Sequence, residues 1–124
     1  MILPYLFVYG TLRRGSGNRF ARLLESQARL VGNARMQGRI YNLGRYPGVT
    51  PSDGPGDWVR GEVFRLTQPA AMLAKLDAYE GPLFARVPQR VYLPSGMHLA
   101  WVYLYKGTPP EGRRIISGEW IRRA

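Results

Sequence analysis

The chain has 124 residues, 45% of them hydrophobic, which suits one ordinary domain with a packed core and is too short for two of typical size. It has no cysteine, so disulfides, thiolate metal sites and cysteine nucleophiles have no material to form from, and with a single histidine, His98, neither a His-based triad nor a multi-histidine metal site is expected. The net charge is +10, and 16 of the 18 basic residues are arginines scattered from Arg13 to Arg123. A basic chain invites a nucleic-acid reading, yet scattered arginine also describes a solvated basic surface, and no specific nucleic-acid partner is expected.

Met1–Gly10 is apolar but carries no basic leader or small-residue cleavage site, so it does not read as a signal peptide. No apolar run approaches the ~18 residues of a membrane span. The expectation is a soluble, cytoplasmic protein without a membrane partner. Ile2–Tyr9 is continuous and aromatic-rich, as a strand buried on both faces would be. Arg13–Asn18 reads as a loop, with Asn18 capping a short helix through Phe20, Leu23, Leu24 and Gln27. Arg29–Leu43 reads as a strand broken at Gly32 and Gly38. Tyr46–Pro47–Gly48 is a turn and Pro51–Asp57 a surface loop.

Trp58–Leu66 is a strand with Trp58, Phe64 and Leu66 on one face and Val59 and Val63 on the other. A second helix follows, capped by Thr67, with Pro69 in its first turn and an apolar stripe of Met72, Leu73, Leu76 and Tyr79. Arg86–Leu93 and His98–Tyr105 form a hairpin through Pro94–Ser95–Gly96, with Pro88 at an edge or a bulge. The tail Gly107–Ala124 is irregular, anchored by Ile115–Ile116 and Trp120. Strands outnumber helices without βαβ alternation, so the class is α+β with a mixed or antiparallel sheet, open or curled into a barrel, in one domain over residues 1–124.

Chemistry has few carriers. His98, mid-strand, reads as structural, and GTLRRGSG has neither Walker nor dinucleotide glycine spacing. Of eight carboxylates, Glu25, Asp53, Asp57, Glu111 and Glu119 read as loop, tail or exposed-helix residues, and Glu62 lies within a strand. Asp77 and Glu80 occupy the last turn of the second helix, where the partial negative charge of the helix end disfavours anions. Either both are solvated at a small cost, or Glu80 projects into a pocket with its pKa raised toward the range useful for proton transfer.

Phe7–Val8–Tyr9–Gly10–Thr11–Leu12–Arg13, with Gly15 and Asn18, is followed in order by five further motifs. These are Gly38–Arg39–Ile40–Tyr41, Tyr46–Pro47–Gly48, Val59–Arg60–Gly61–Glu62–Val63–Phe64, Leu76–Asp77–Ala78–Tyr79–Glu80–Gly81 with Arg86, and Ala100–Trp101–Val102–Tyr103. Ser117–Gly118–Glu119–Trp120 closes the series. Over nearly the whole chain this resembles the gamma-glutamylcyclotransferase-like superfamily, including its gamma-glutamylamine cyclotransferases.

The resemblance implies a small mixed β-barrel flanked by short helices, acting on a small gamma-glutamyl amine or gamma-glutamyl amino acid. The product would be 5-oxoproline, formed with no cofactor or metal. It puts the catalytic proton shuttle at Glu80 and the substrate-binding residues at Tyr9, Gly10, Thr11, Leu12, Arg86 and Tyr103, the amides of the first turn holding the alpha-carboxylate. Arg86 would either orient the acid or occupy the sheet surface. Where many relatives have a tyrosine shortly after the glutamate, this chain has Phe84. Two other classes stand beside this one: a non-catalytic small-ligand binder of the same fold, and a basic nucleic-acid-associated module.

Overall fold

The computed structural model describes residues 2–10, 12–13 and 18–121, so the expectations placed on Thr11 and Gly15 lie outside the described residues. Strand β1 (Tyr5–Val8) is followed by helix α1 (Arg19–Gln27) and strands β2 (Ala28–Asn42), β3 (Pro47–Pro51) and β4 (Trp58–Leu66). Helix α2 (Pro69–Glu80), the hairpin β5 (Phe84–Leu93) and β6 (Gly96–Tyr105), and a 3-10 turn at Glu111–Arg113 complete the order. The strands run β3-β2-β4-β1-β6-β5, and a further pairing of Arg35 on β2 with Tyr92 on β5 closes five of them into a barrel. β1 runs parallel to β6 and the other pairings are antiparallel, so the sheet is mixed.

Strand alternation explains why so many strand residues are apolar. Phe7, Val59, Val63, Ala100, Val102 and Leu104 point into the barrel with Met36, Ile40 and Val91. Their neighbours Leu6, Val8, Phe64, Leu66 and Tyr103 point outward, where α1 and α2 cover them with Leu24, Met72, Leu73 and Leu76. A helix of 12 residues is marginal alone, and its place here rests on three buried side chains worth roughly 1.5–3 kcal/mol each.

Asn18 caps α1 as the pattern predicts, its side chain accepting from the backbone of Phe20 at 2.8 Å and Ala21 at 3.2 Å. The cap of α2 is Gln68 rather than Thr67, because the first helical bond, from the Met72 N–H, ends on the Gln68 carbonyl at 3.0 Å. At the far end Gly81 has φ 76°, the left-handed region that glycine enters without strain, and its N–H returns to the Asp77 carbonyl.

Other boundaries also differ. β2 runs unbroken through Gly32 and Gly38, absorbing one register shift between Leu30 and Gly32. β3 occupies residues read as turn and loop. It pairs with β2 alone, so its terminal prolines, Pro47 and Pro51, leave no central ladder short of a donor. Pro88 lies in β5, away from the one residue where β5 pairs with β2. In the tail Ile115 and Trp120 pack on the core, whereas Ile116 is exposed and anchors nothing.

Candidate active site

A cavity of about 370 Å³ opens where the end of β1, the end of α2, the β2–β3 turn and β6 converge. Tyr9, Gly10, Leu12, Glu80 and Tyr103 all line it, so the turn after β1 and the acidic helix end face one space. Arg86 is not on the wall. His98 is also off it, set edge-on against Tyr5 with ring centroids 5.4 Å apart.

Glu80 is the last residue of α2. Its carboxylate faces the disfavoured end of the helix dipole, and burial against the barrel raises its pKa to about 7. A proton therefore sits on Glu80 near neutrality and is readily exchanged.

Asp77, one turn earlier, takes the opposite course. Arg86 grips it at both oxygens, Nε to Oδ1 at 2.8 Å and Nη2 to Oδ2 at 3.1 Å, and these bonds hold its pKa below the usual carboxylate range. The Tyr103 hydroxyl donates to Asp77 Oδ1 at 2.7 Å. Arg86 and Tyr103 are cross-strand partners on β5 and β6, so the hairpin register presents both to one helix turn. The Arg86 guanidinium also lies over the Trp101 ring, 4.4 Å from its centroid. Burial raises the pKa of Tyr103 most, helped by its bond to Asp77 and by the charges of Asp77 and Glu80. Tyr9 donates its hydroxyl to the Tyr103 carbonyl at 2.6 Å. Its pKa is raised mainly by burial and further by the Glu80 charge, against a backbone hydrogen bond from Val49.

Gly10 has a packing reason to be glycine. A Cβ there would lie 2.7 Å from Pro47 Cγ and 2.9 Å from Cδ, so the turn after β1 is seated against the first residue of β3. Arg13 closes that turn, its N–H bonded to the Gly10 carbonyl at 3.0 Å. Its guanidinium reaches away to the tail, to Glu119 Oε2 at 3.1 Å and the Trp120 carbonyl at 3.2 Å.

The structure adds wall residues that sequence reasoning did not place in a site: Asn18, Arg45, Tyr46, Pro47, Tyr79 and Phe84. Asn18, besides capping α1, donates to the Tyr79 hydroxyl at 2.8 Å and so ties the two helices together at the cavity. Phe84 fills its place with edge contacts to Tyr46 and Tyr105, each 5.8 Å between centroids. Nothing in the pattern around Arg45 announces it, since it is one arginine of many and reaches the cavity only through the β2–β3 turn. Among the described residues, no three His, Cys, Asp or Glu side chains gather as a metal site would require.

A mixed five-stranded barrel flanked by two helices is the fold this chain shares with AIG2-like proteins of solved structure. The chain belongs to the gamma-glutamyl cyclotransferase, AIG2-like family, whose model matches residues 6–122. It is 38% identical over 122 residues to the gamma-glutamylcyclotransferase family protein YtfP of Escherichia coli K12, covering 95% of this chain and 96% of that one. It is 31% identical over 112 residues to the gamma-L-glutamyl-butirosin B gamma-glutamyl cyclotransferase of Niallia circulans, covering 85% of this chain and 69% of that one. The crystal structure of YkqA from Bacillus subtilis superposes with a TM-score of 0.76 at 28% identity, over 96% of this chain and 40% of the YkqA chain.

Proposed function

We propose that the protein is a gamma-glutamyl cyclotransferase that releases 5-oxoproline from a gamma-glutamyl amine or gamma-glutamyl amino acid, with Glu80 as the proton shuttle. The observation that carries this reading is the shared cavity: a carboxyl group poised near neutrality faces the Gly10–Leu12 turn. Glu80 takes one proton from the substrate's alpha-ammonium, and the freed amine attacks its own gamma-carbonyl carbon. The resulting oxyanion collapses, and the bond to the leaving nitrogen breaks as Glu80 returns the proton there. The second proton shed by the attacking nitrogen follows the same route. 5-Oxoproline keeps one N–H and the amine leaves as an ammonium ion.

Tethering of nucleophile to electrophile supplies most of the entropic advantage, which is why one carboxylate suffices and no metal enters the scheme. The alpha-carboxylate is assigned to the amides at residues 10–12, ahead of the Arg13 N–H that the turn itself uses. The test is 5-oxoproline release across a panel of gamma-glutamyl amines and amino acids, wild type beside Glu80→Gln. Release by the wild type alone supports the assignment. Binding of gamma-glutamyl ligands without release by either protein would make it a non-catalytic binder.

A further inference from the structure

The mechanism uses Glu80 and leaves Asp77 and Arg86 without a task, although two hydrogen bonds join them to each other and a third joins Asp77 to the cavity residue Tyr103. A phenol has one proton and two lone pairs. The Tyr103 proton is donated to Asp77 Oδ1 at 2.7 Å, on the helix side. Arg86 offers only donors, so its two-point grip keeps Asp77 an acceptor and leaves the phenol no alternative orientation. With its proton on Asp77 and the Arg86 guanidinium also against the phenol oxygen, what Tyr103 can show the cavity is its remaining lone pair. Glu80 lies three residues along α2 from Asp77 and lines the same space, so the two oxygens form an electron-rich wall.

We propose that Arg86 and Asp77 are positioning residues that lock Tyr103 as a hydrogen-bond acceptor, making Tyr103 and Glu80 a subsite for a primary ammonium group. The proposal rests on the cyclotransferase reading for the identity of that group, the alpha-ammonium of the substrate. A tyrosine free to rotate would as readily donate to the gamma-carbonyl or the leaving nitrogen. The locked one holds the attacking nitrogen beside the base that deprotonates it.

The test is calorimetric and uses ligands that cannot react. S-Butyl-L-homocysteine carries the alpha-ammonium and alpha-carboxylate with a thioether in place of the gamma-amide, and 4-(butylthio)butanoate lacks only the amine. The wild type should prefer the first by roughly tenfold or more, the worth of one charge-assisted hydrogen bond. Tyr103→Phe and Asp77→Ala should each erase most of that preference, and the double variant should lose no more than either single one. Asp77→Asn keeps an acceptor at Oδ1 and should retain most of it.

Asp77 has a side chain 43% exposed on a helix, so alanine is well tolerated there. Arg86→Met, which frees Asp77 without removing it, gives a second route to a partial loss. A wild type with no preference for the amine, or Asp77→Ala losses that add to those of Tyr103→Phe, would overturn the proposal. Assaying 5-oxoproline release in parallel separates the two readings. A coupled ammonium preference without turnover leaves the Tyr103 lock standing and removes the cyclotransferase.

Discussion

Asp77 and Glu80 share the last turn of α2 and are driven in opposite directions, Asp77 held acidic by Arg86 and Glu80 raised to about 7 by burial. Two carboxyl groups with separated affinities for protons mark two roles, and only Glu80 can exchange a proton near neutrality. Glu80→Gln is expected to reduce 5-oxoproline release by at least about a thousandfold, taking tethered proton transfer as the lost step. Binding of 5-oxoproline should persist. In the wild type kcat/KM should rise with pH through about 7 as the Glu80 carboxylate forms. An ascending limb near the ordinary carboxylate value instead would remove Glu80 from the role of base.

The sequence showed Asp77 and Glu80 as a pair but could not separate them, because the separation depends on what packs on each. Arg86 reaches Asp77 through the β5–β6 register, and Glu80 is desolvated by what the fold gathers around the end of α2. Strands, helices and the apolar faces of β4 and α2 were legible because periodicity encodes burial directly. β3 was not, since two prolines and a glycine in its five residues read as turn chemistry, and only its pairing with β2 makes it a strand. Arg45 was illegible for a similar reason: its place on the wall follows from where that hairpin turns.

Gly10 is expected to behave as a packing residue as well as a pocket residue. Gly10→Ala forces its Cβ onto the Pro47 ring and should lower the thermal midpoint while raising KM. Pro47→Ala in the same chain should recover a substantial part of the stability, because the obstructing ring atoms are gone. If the double variant is as unstable as the sum of the single ones, Pro47 is not what keeps position 10 a glycine.

Among the described residues Arg45 is the one cationic side chain on the wall, and it makes no ion pair with any of them. A leaving amine that carries a carboxylate, as in a gamma-glutamyl amino acid, would meet it at the cavity rim. Arg45→Gln should raise KM for such substrates by roughly tenfold, the scale of a hydrogen bond to a charged group. The change for an uncharged gamma-glutamyl alkylamine should be smaller. Equal changes for both would assign Arg45 to the alpha-carboxylate that they share.

Glu80 and Asp57 shape stability against pH with opposite signs. Glu80 binds its proton more tightly folded than unfolded, so it favours the native state fully below about 4.5 and loses that contribution as pH rises through about 7. Asp57 is the reverse case. It accepts from Arg39 Nε at 2.8 Å, Arg114 Nη2 at 2.7 Å and the Ser52 hydroxyl at 2.7 Å, which joins the loop after β3, strand β2 and the tail. Those bonds hold its pKa well below 3.8, so its contribution is present above that value and fades as pH falls. Thermal midpoints should therefore peak in the mildly acidic range, roughly pH 4–5. Glu80→Gln should flatten the alkaline side and stabilise the protein at pH 8 by about 1–3 kcal/mol. Asp57→Asn should lower the midpoint at neutral pH and flatten the acidic side. A wild-type midpoint that rises steadily from pH 5 to pH 8 would mean that Glu80 is charged at little cost, and its assignment as a buried, near-neutral acid would be lost.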